Sequence, residues 1–148
     1  MDEQRGHYLE DLQVGMSATY TKTVTDADLV LFAGVSGDIN PMHVDQEYAE
    51  KTMFQGRIAH GMLTASLISA VLGTKLPGPG CIYVSQNLRF RAPVRPGDTV
   101  KARVVIKAID QERGRATVDT ICTVGDRTVI DGEAVLVVPR RPLAEAAE

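Results

Sequence analysis

The stretch from His60 to Leu76 constrains the fold more than any other. Met62, Leu63, Ala65, Leu67, Ile68, Ala70, Val71 and Leu72 point in every direction around a helical turn. A helix that is apolar nearly all round has no face to offer water, so it is expected to be buried. Gly73 and Pro77 supply its end. About 16 residues of helix span roughly 24 Å. The longest apolar stretch, Ile58 to Leu72, is too short and, with His60, Thr64, Ser66 and Ser69 inside it, too polar to cross a bilayer.

Beyond the helix the chain reads as strands. Ile82, Val84, Leu88 and Phe90 alternate with Tyr83, Ser85, Asn87, Arg89 and Arg91, and Val100, Ala102, Val104 and Ile106 alternate with Lys101, Arg103 and Lys107. Ala116 to Val124 and Thr128 to Val138 keep the same period of two less strictly. Pro77-Gly78-Pro79-Gly80, Pro96-Gly97-Asp98, Arg113-Gly114 and Gly125-Asp126 are the turns between them. Short connections between long strands predict an antiparallel meander. Before the helix, Val14 to Val24 reads as an opening strand. Thr25 is an N-cap with Asp28 placed to reach back to it, and a short helix runs over Ala27 to Val35. Asp45 caps a second short helix running through Lys51. The fold class is α+β, with an antiparallel sheet curling around one buried helix. Such a sheet leaves two edges, so pairing with a second subunit is expected.

Composition sets the limits. At 148 residues, 44% hydrophobic and 24% charged, the chain suits one domain with an ordinary core. With no Trp, that core is mostly aliphatic. The net charge of −3, with Lys and Arg scattered, argues against nucleic acid as a partner. The polar first ten residues lack a signal-peptide core, so a cytoplasmic protein is expected and no membrane association. Cys81 and Cys122 have no Cys-x-x-Cys or metal-ligand spacing and read as buried thiols. Residues 139–148 read as a loosely ordered, Ala/Glu-rich tail.

Chemistry concentrates in Ser36-Gly37-Asp38-Ile39-Asn40-Pro41-Met42-His43. On a regular helix Asp38 and His43 would diverge by about 140°. In a loop with a permissive Gly37, a stiffening Pro41 and an Asn40 able to bond the backbone, they can aim at one point. A carboxylate and an imidazole aimed together hold one water and exchange its protons. The local alternative is that Asp38 caps a turn and His43 packs at a loop edge. Asp38, His43, Asp45 and His60 are candidate metal ligands, but their spacing matches no metal motif, so no metal is expected. Gly61 begins the long helix, where backbone N–H groups are unpaired and the dipole is positive. Its N–H could polarise a carbonyl, or the glycine could simply let helix and sheet pack closely. His60 reads as a structural histidine at a helix end.

The run FAGVSGDINPMHVDQEYA, from Phe32 to Ala49, resembles the hydratase signature of the MaoC-like, R-specific enoyl-CoA hydratase family. The short single-domain type linked to polyhydroxyalkanoate synthesis is the nearest form. IAHGMLTASLISAVLG and PGPGCIYVSQNLRFRAPVRPGD carry the likeness further along the chain. Met42 departs from the usual Leu, Ile or Val, a volume-conserving change. The resemblance implies a hot-dog fold across residues 1–148 and a homodimer with the substrate near its interface. It implies a trans-2-enoyl-CoA substrate and a (3R)-3-hydroxyacyl-CoA product, with coenzyme A as part of the substrate and no separate cofactor. It implies that Asp38 and His43 activate water, that the Gly61 N–H binds the thioester carbonyl, and that Ser69 and Leu72 lie near the acyl chain. A hot-dog thioesterase, a dehydratase acting on acyl carrier protein and a non-catalytic thioester-binding module share the fold. The Asp-x-Asn-Pro-x-His loop favours the hydratase.

Overall fold

A computed structural model describes residues 5–143. A short 3₁₀ turn at Leu9–Asp11 precedes β1 (Ser17–Thr23). Helices α1 (Asp26–Ser36), α2 (Pro41–Val44), α3 (Gln46–Glu50) and α4 (Gly61–Thr74) come next. The chain then forms β2 (Ile82–Phe90), β3 (Thr99–Asp110), β4 (Arg115–Val124) and β5 (Arg127–Val137).

The helix starts obey local chemistry. Thr25 caps α1 by accepting the Asp28 N–H at 3.2 Å, while the Asp28 carboxylate accepts the Thr25 N–H at 2.9 Å. That backbone bond, helped by Lys22, holds the Asp28 carboxyl below its usual range. A lowered folded value means the cap's contribution is present at neutral pH and is lost as pH falls through it. Asp45 caps α3 by accepting the Tyr48 N–H at 3.1 Å.

All five strands pair antiparallel in the order β1-β3-β4-β5-β2. The expected meander therefore holds only for β3, β4 and β5. β2 lies beyond β5, at the far edge from β1. The connection Arg91 to Asp98 makes this possible. Three strand spacings amount to about 14 Å, and eight extended residues reach up to about 28 Å. The crossing segment is pinned on the way, since Val94 accepts the Ala59 N–H at 2.7 Å and Val24 accepts the Gly97 N–H at 2.7 Å. Pro93 and Pro96 have no N–H to satisfy.

Alternation places Val100, Ala102, Val104 and Ile106 of β3 with Ala116, Val118 and Cys122 of β4 in the core, beside Ile130, Ala134 and Leu136 of β5. Helix α4 fills that concave face with Ala65, Leu67, Ile68, Val71 and Leu72. Leu72, expected near an acyl chain, is only 1% exposed and belongs to this core. Burial pushes the Cys122 thiol up to about 12, and pushes the half-buried Cys81 thiol upward as well.

Two surfaces depart from the expectation of full burial. On α4, Met62, Ser66, Ser69 and Gly73 are exposed, and their spacing of four, three and four marks one face of the helix. On β2, Ile82, Tyr83, Val84 and Phe90 are exposed, with a register shift between Tyr83 and Ser85. The alternation there has no second layer to bury its apolar residues. The tail is tied down where it is described. Arg140 donates to the Gln111 and Glu112 carbonyls, Arg141 pairs with Asp11, and the Arg141 N–H donates to Glu10 at 2.9 Å. Residues 144–148 lie outside the described residues.

Core and cap can each be tested by stability. Leu72→Ala should lose about 2–5 kcal/mol, as for other buried leucines, read from a urea or thermal denaturation midpoint. Thr25→Ala should lose about 1 kcal/mol, and Asp28→Ala should destabilise at neutral pH with the difference from wild type shrinking in acid.

Candidate active site

The site is built from the end of α1, the turn α2 and the start of α4. Helix α1 stops at Gly37, whose φ of 79° lies in the left-handed region that glycine accepts freely, and whose N–H bonds Ala33 at 2.9 Å. Each polar residue of the next segment then satisfies its neighbour's backbone. The Ser36 hydroxyl accepts the Asp38 N–H at 3.1 Å. The Asp38 carboxylate accepts the Asn40 N–H at 3.2 Å, and the Asn40 side chain accepts the Met42 N–H at 3.1 Å. Asn40 thus acts as the N-cap of α2, with Pro41 in its first turn. Part of the expected loop is therefore a helical turn, and His43 sits in it. The Asp38 side chain does serve a turn, as the local alternative required, and it also lines a cavity.

His43 is only 7% exposed. Its Nδ1 lies 2.8 Å from the Ile58 carbonyl. A carbonyl only accepts, so Nδ1 carries the hydrogen and Nε2 keeps a lone pair. His60 is oriented by the same logic. Its Nε2 lies 2.9 Å from the Asp38 backbone carbonyl and donates to it. The two imidazoles stack, with centroids 3.9 Å apart and planes 28° from parallel, and Phe32 packs tilted against His60 at 4.8 Å.

The cavity, of about 610 Å³, opens over these groups. Asp38, His43, His60, Gly61, Thr64 and Arg91 give it polar wall, and Met42, Met53, Phe54, Met62, Phe90 and Ile130 give it apolar wall. Asp38, His43 and His60 each bring a ligand-type atom within 4.8 Å of the others. Two atoms hydrogen-bonded to one water are at most about 5.6 Å apart, so a carboxylate oxygen of Asp38 and a ring nitrogen of His43 lie within the span of one water. The same trio could be taken for a metal site. Stacked imidazoles hold their in-plane lone pairs in nearly parallel planes, however, which suits convergence on one ion poorly.

Gly61 occupies the first position of α4, where the N–H has no partner within the helix. A Cβ here would meet the Phe90 ring at 2.6 Å. Close packing is thus one reason for the glycine, and Gly61 also forms part of the cavity wall. Asp38, His43 and Gly61 come together as the sequence predicts. Ser69 and Leu72 do not, for Ser69 is exposed on α4, Leu72 is in the core, and neither lines the cavity. Sequence reasoning missed Thr64 and Phe90. Thr64 is one turn beyond His60, and its Oγ1 and the His60 Nδ1 are buried without a hydrogen-bond partner among the described residues. Polar atoms of this kind on a cavity wall are available to a bound molecule.

Comparison with known proteins gives the family and the fold. Residues 11–128 match the family model described as a MaoC-like domain. The (R)-specific enoyl-CoA hydratase of Rhodospirillum rubrum is 55% identical over 135 residues, covering 91% of this chain and 94% of that protein. The 3-hydroxybutyryl-CoA dehydratase of Methylorubrum extorquens is 49% identical, covering 98% and 92%. The structure of the (R)-hydratase from Aeromonas caviae involved in PHA biosynthesis superposes with a TM-score of 0.85 at 42% identity, covering 88% of this chain and 99% of that one. The sheet wrapped on α4 is accordingly the hot-dog arrangement, and with the family's domain matched from residue 11 to residue 128 the chain belongs to the MaoC-like family.

Proposed function

We propose that this protein is an (R)-specific hydratase of trans-2-enoyl-CoA thioesters. The observation that carries the proposal is the meeting of Asp38 and His43 within 4.8 Å in a cavity whose wall includes the start of α4. A water held between the two side chains gives up a proton to one of them as its oxygen bonds C3 of the enoyl group. The C2–C3 π pair moves toward the thioester carbonyl, where the Gly61 N–H stabilises enolate-like charge. C2 then takes a proton from the same face, so that water adds syn and nothing is oxidised or reduced. The reverse reaction is the dehydration for which the Methylorubrum relative is named. Coenzyme A enters as part of the substrate, and the mechanism uses no resident metal or cofactor. The reading extends to one domain acting in the cytoplasm, and to a part in PHA biosynthesis, in which the Aeromonas relative is involved.

The active species in this proposal is a homodimer. The bare α4 stripe and the exposed apolar residues of the β2 edge are unpaired surfaces of the kind that a second copy covers. Ser69 then contributes at the interface, where it would border the acyl chain.

Purified protein should remove the enoyl absorbance of crotonyl-CoA and yield the 3R product. Asp38→Asn and His43→Gln should each lose at least ~100-fold in turnover while remaining folded. Near-normal hydration by either, or thiol release from a saturated acyl-CoA in place of hydration, would sink the assignment. Light scattering should give twice the 16.0 kDa chain mass, and Ser69→Arg should return it to the monomer. A monomeric, fully active wild type would refute the dimer.

A further inference from the structure

His60 has no step in the proposed hydration, yet the three parts of the site meet at it. Its side chain is only 1% exposed. Its Nε2 donates to the backbone carbonyl of Asp38, its ring stacks on His43, and its backbone begins the helix whose first residue is Gly61. Ser, Thr, Asp or Asn at a helix start usually caps that helix with its side chain. His60 does not. It occupies the N-cap position of α4, and its side chain makes no capping bond. The backbone carbonyl alone meets the helix, accepting from Leu63 and Thr64 at 3.1 and 3.3 Å. The expectation of a histidine serving its own helix end is therefore replaced by one that reaches across to another element.

What it reaches is the weakly anchored half of the acid–base pair. Asp38 lies in an exposed segment, and its other hydrogen bonds run to Ser36 and Asn40, within the same turn. Among the described residues, the bond tying Asp38 to a different element is the one from His60. His43 is separately fixed by Ile58, two residues before His60 on the same stretch of backbone.

We propose that His60 is a positioning residue for the hydration. Its Nε2–H sets the place of the Asp38 carboxylate relative to the His43 ring and the Gly61 N–H. The inference rests on the assignment of Asp38 and His43 to the chemistry. It fixes His60 in the Nε2–H tautomer, complementary to the Nδ1–H tautomer of His43. Misplacing one member of an acid–base pair by a fraction of an ångström affects the reacting geometry more than the binding of a large thioester.

Two substitutions separate the donor from the ring. His60→Gln keeps an amide N–H at about the reach of Nε2 and removes the ring. His60→Phe keeps a ring against His43 and removes the donor. With crotonyl-CoA, His60→Phe should lose about 10-fold or more in kcat with KM within about 2-fold, and His60→Gln should recover to within about 3-fold of wild type. Side-chain ¹⁵N NMR of the wild type should show His60 protonated on Nε2, a readout that does not depend on either variant folding. A folded His60→Phe with wild-type kcat would overturn the proposal. So would His60→Gln performing no better than His60→Phe with both losses tracking thermal stability, or an Nδ1–H tautomer. Asp38→Asn and His43→Gln belong in the same assay. If those two stay active, the failure lies in the assignment of the pair, and the positioning role falls with it.

Discussion

The burial of α4 against the concave face of the sheet is the constraint on which the rest of the structure depends. A helix carrying Leu67, Ile68, Val71 and Leu72 cannot stand in water, and the inward faces of β3, β4 and β5 supply the matching surface. Once the helix axis is fixed, so is the position of its first residue. Everything chemical is then arranged around that end. The crossing segment bonds Ala59 just before it, the α2 turn bonds Ile58, and His60 bonds Asp38.

The site is assembled mainly by backbone carbonyls acting as acceptors. Ile58 orients His43 and Asp38 orients His60, each through one ring nitrogen. This leaves the chemistry to a small number of free atoms in a wall that is otherwise largely apolar. An apolar wall raises the strength of the few polar contacts within it. It also suits the uncharged, conjugated thioester end of the proposed substrate.

Much of this is legible in the amino-acid sequence, because it depends on near neighbours along the chain. Thr25 with Asp28, Asn40 with Met42 and Asp45 with Tyr48 are relationships of two or three residues, and each forms as the residue types predict. The period of two marks the core faces of β3 and β4. The place of β2 is not legible, because strand order depends on how far an eight-residue connection travels, and Arg91 to Asp98 carries no signal of its direction. The burial of Leu72 and the exposure of Ser69 are hidden for a related reason. On a helix apolar all round, periodicity cannot say which side the sheet covers. Position at a helix end suggests one role for His60, whereas its bonding partner is a residue 22 positions away.

Gly61 and Phe90 have a consequence for how the molecule's parts share motion. The ring of Phe90 rests where a side chain on Gly61 would be, and Phe90 is the last residue of β2, an outer strand of the sheet. The start of α4 thus touches the border of the molecule as well as its interior. Anything that slides the end of that strand by a few tenths of an ångström presses on, or withdraws from, the backbone at Gly61. Perimeter and cavity wall are, at this contact, a single mechanical part.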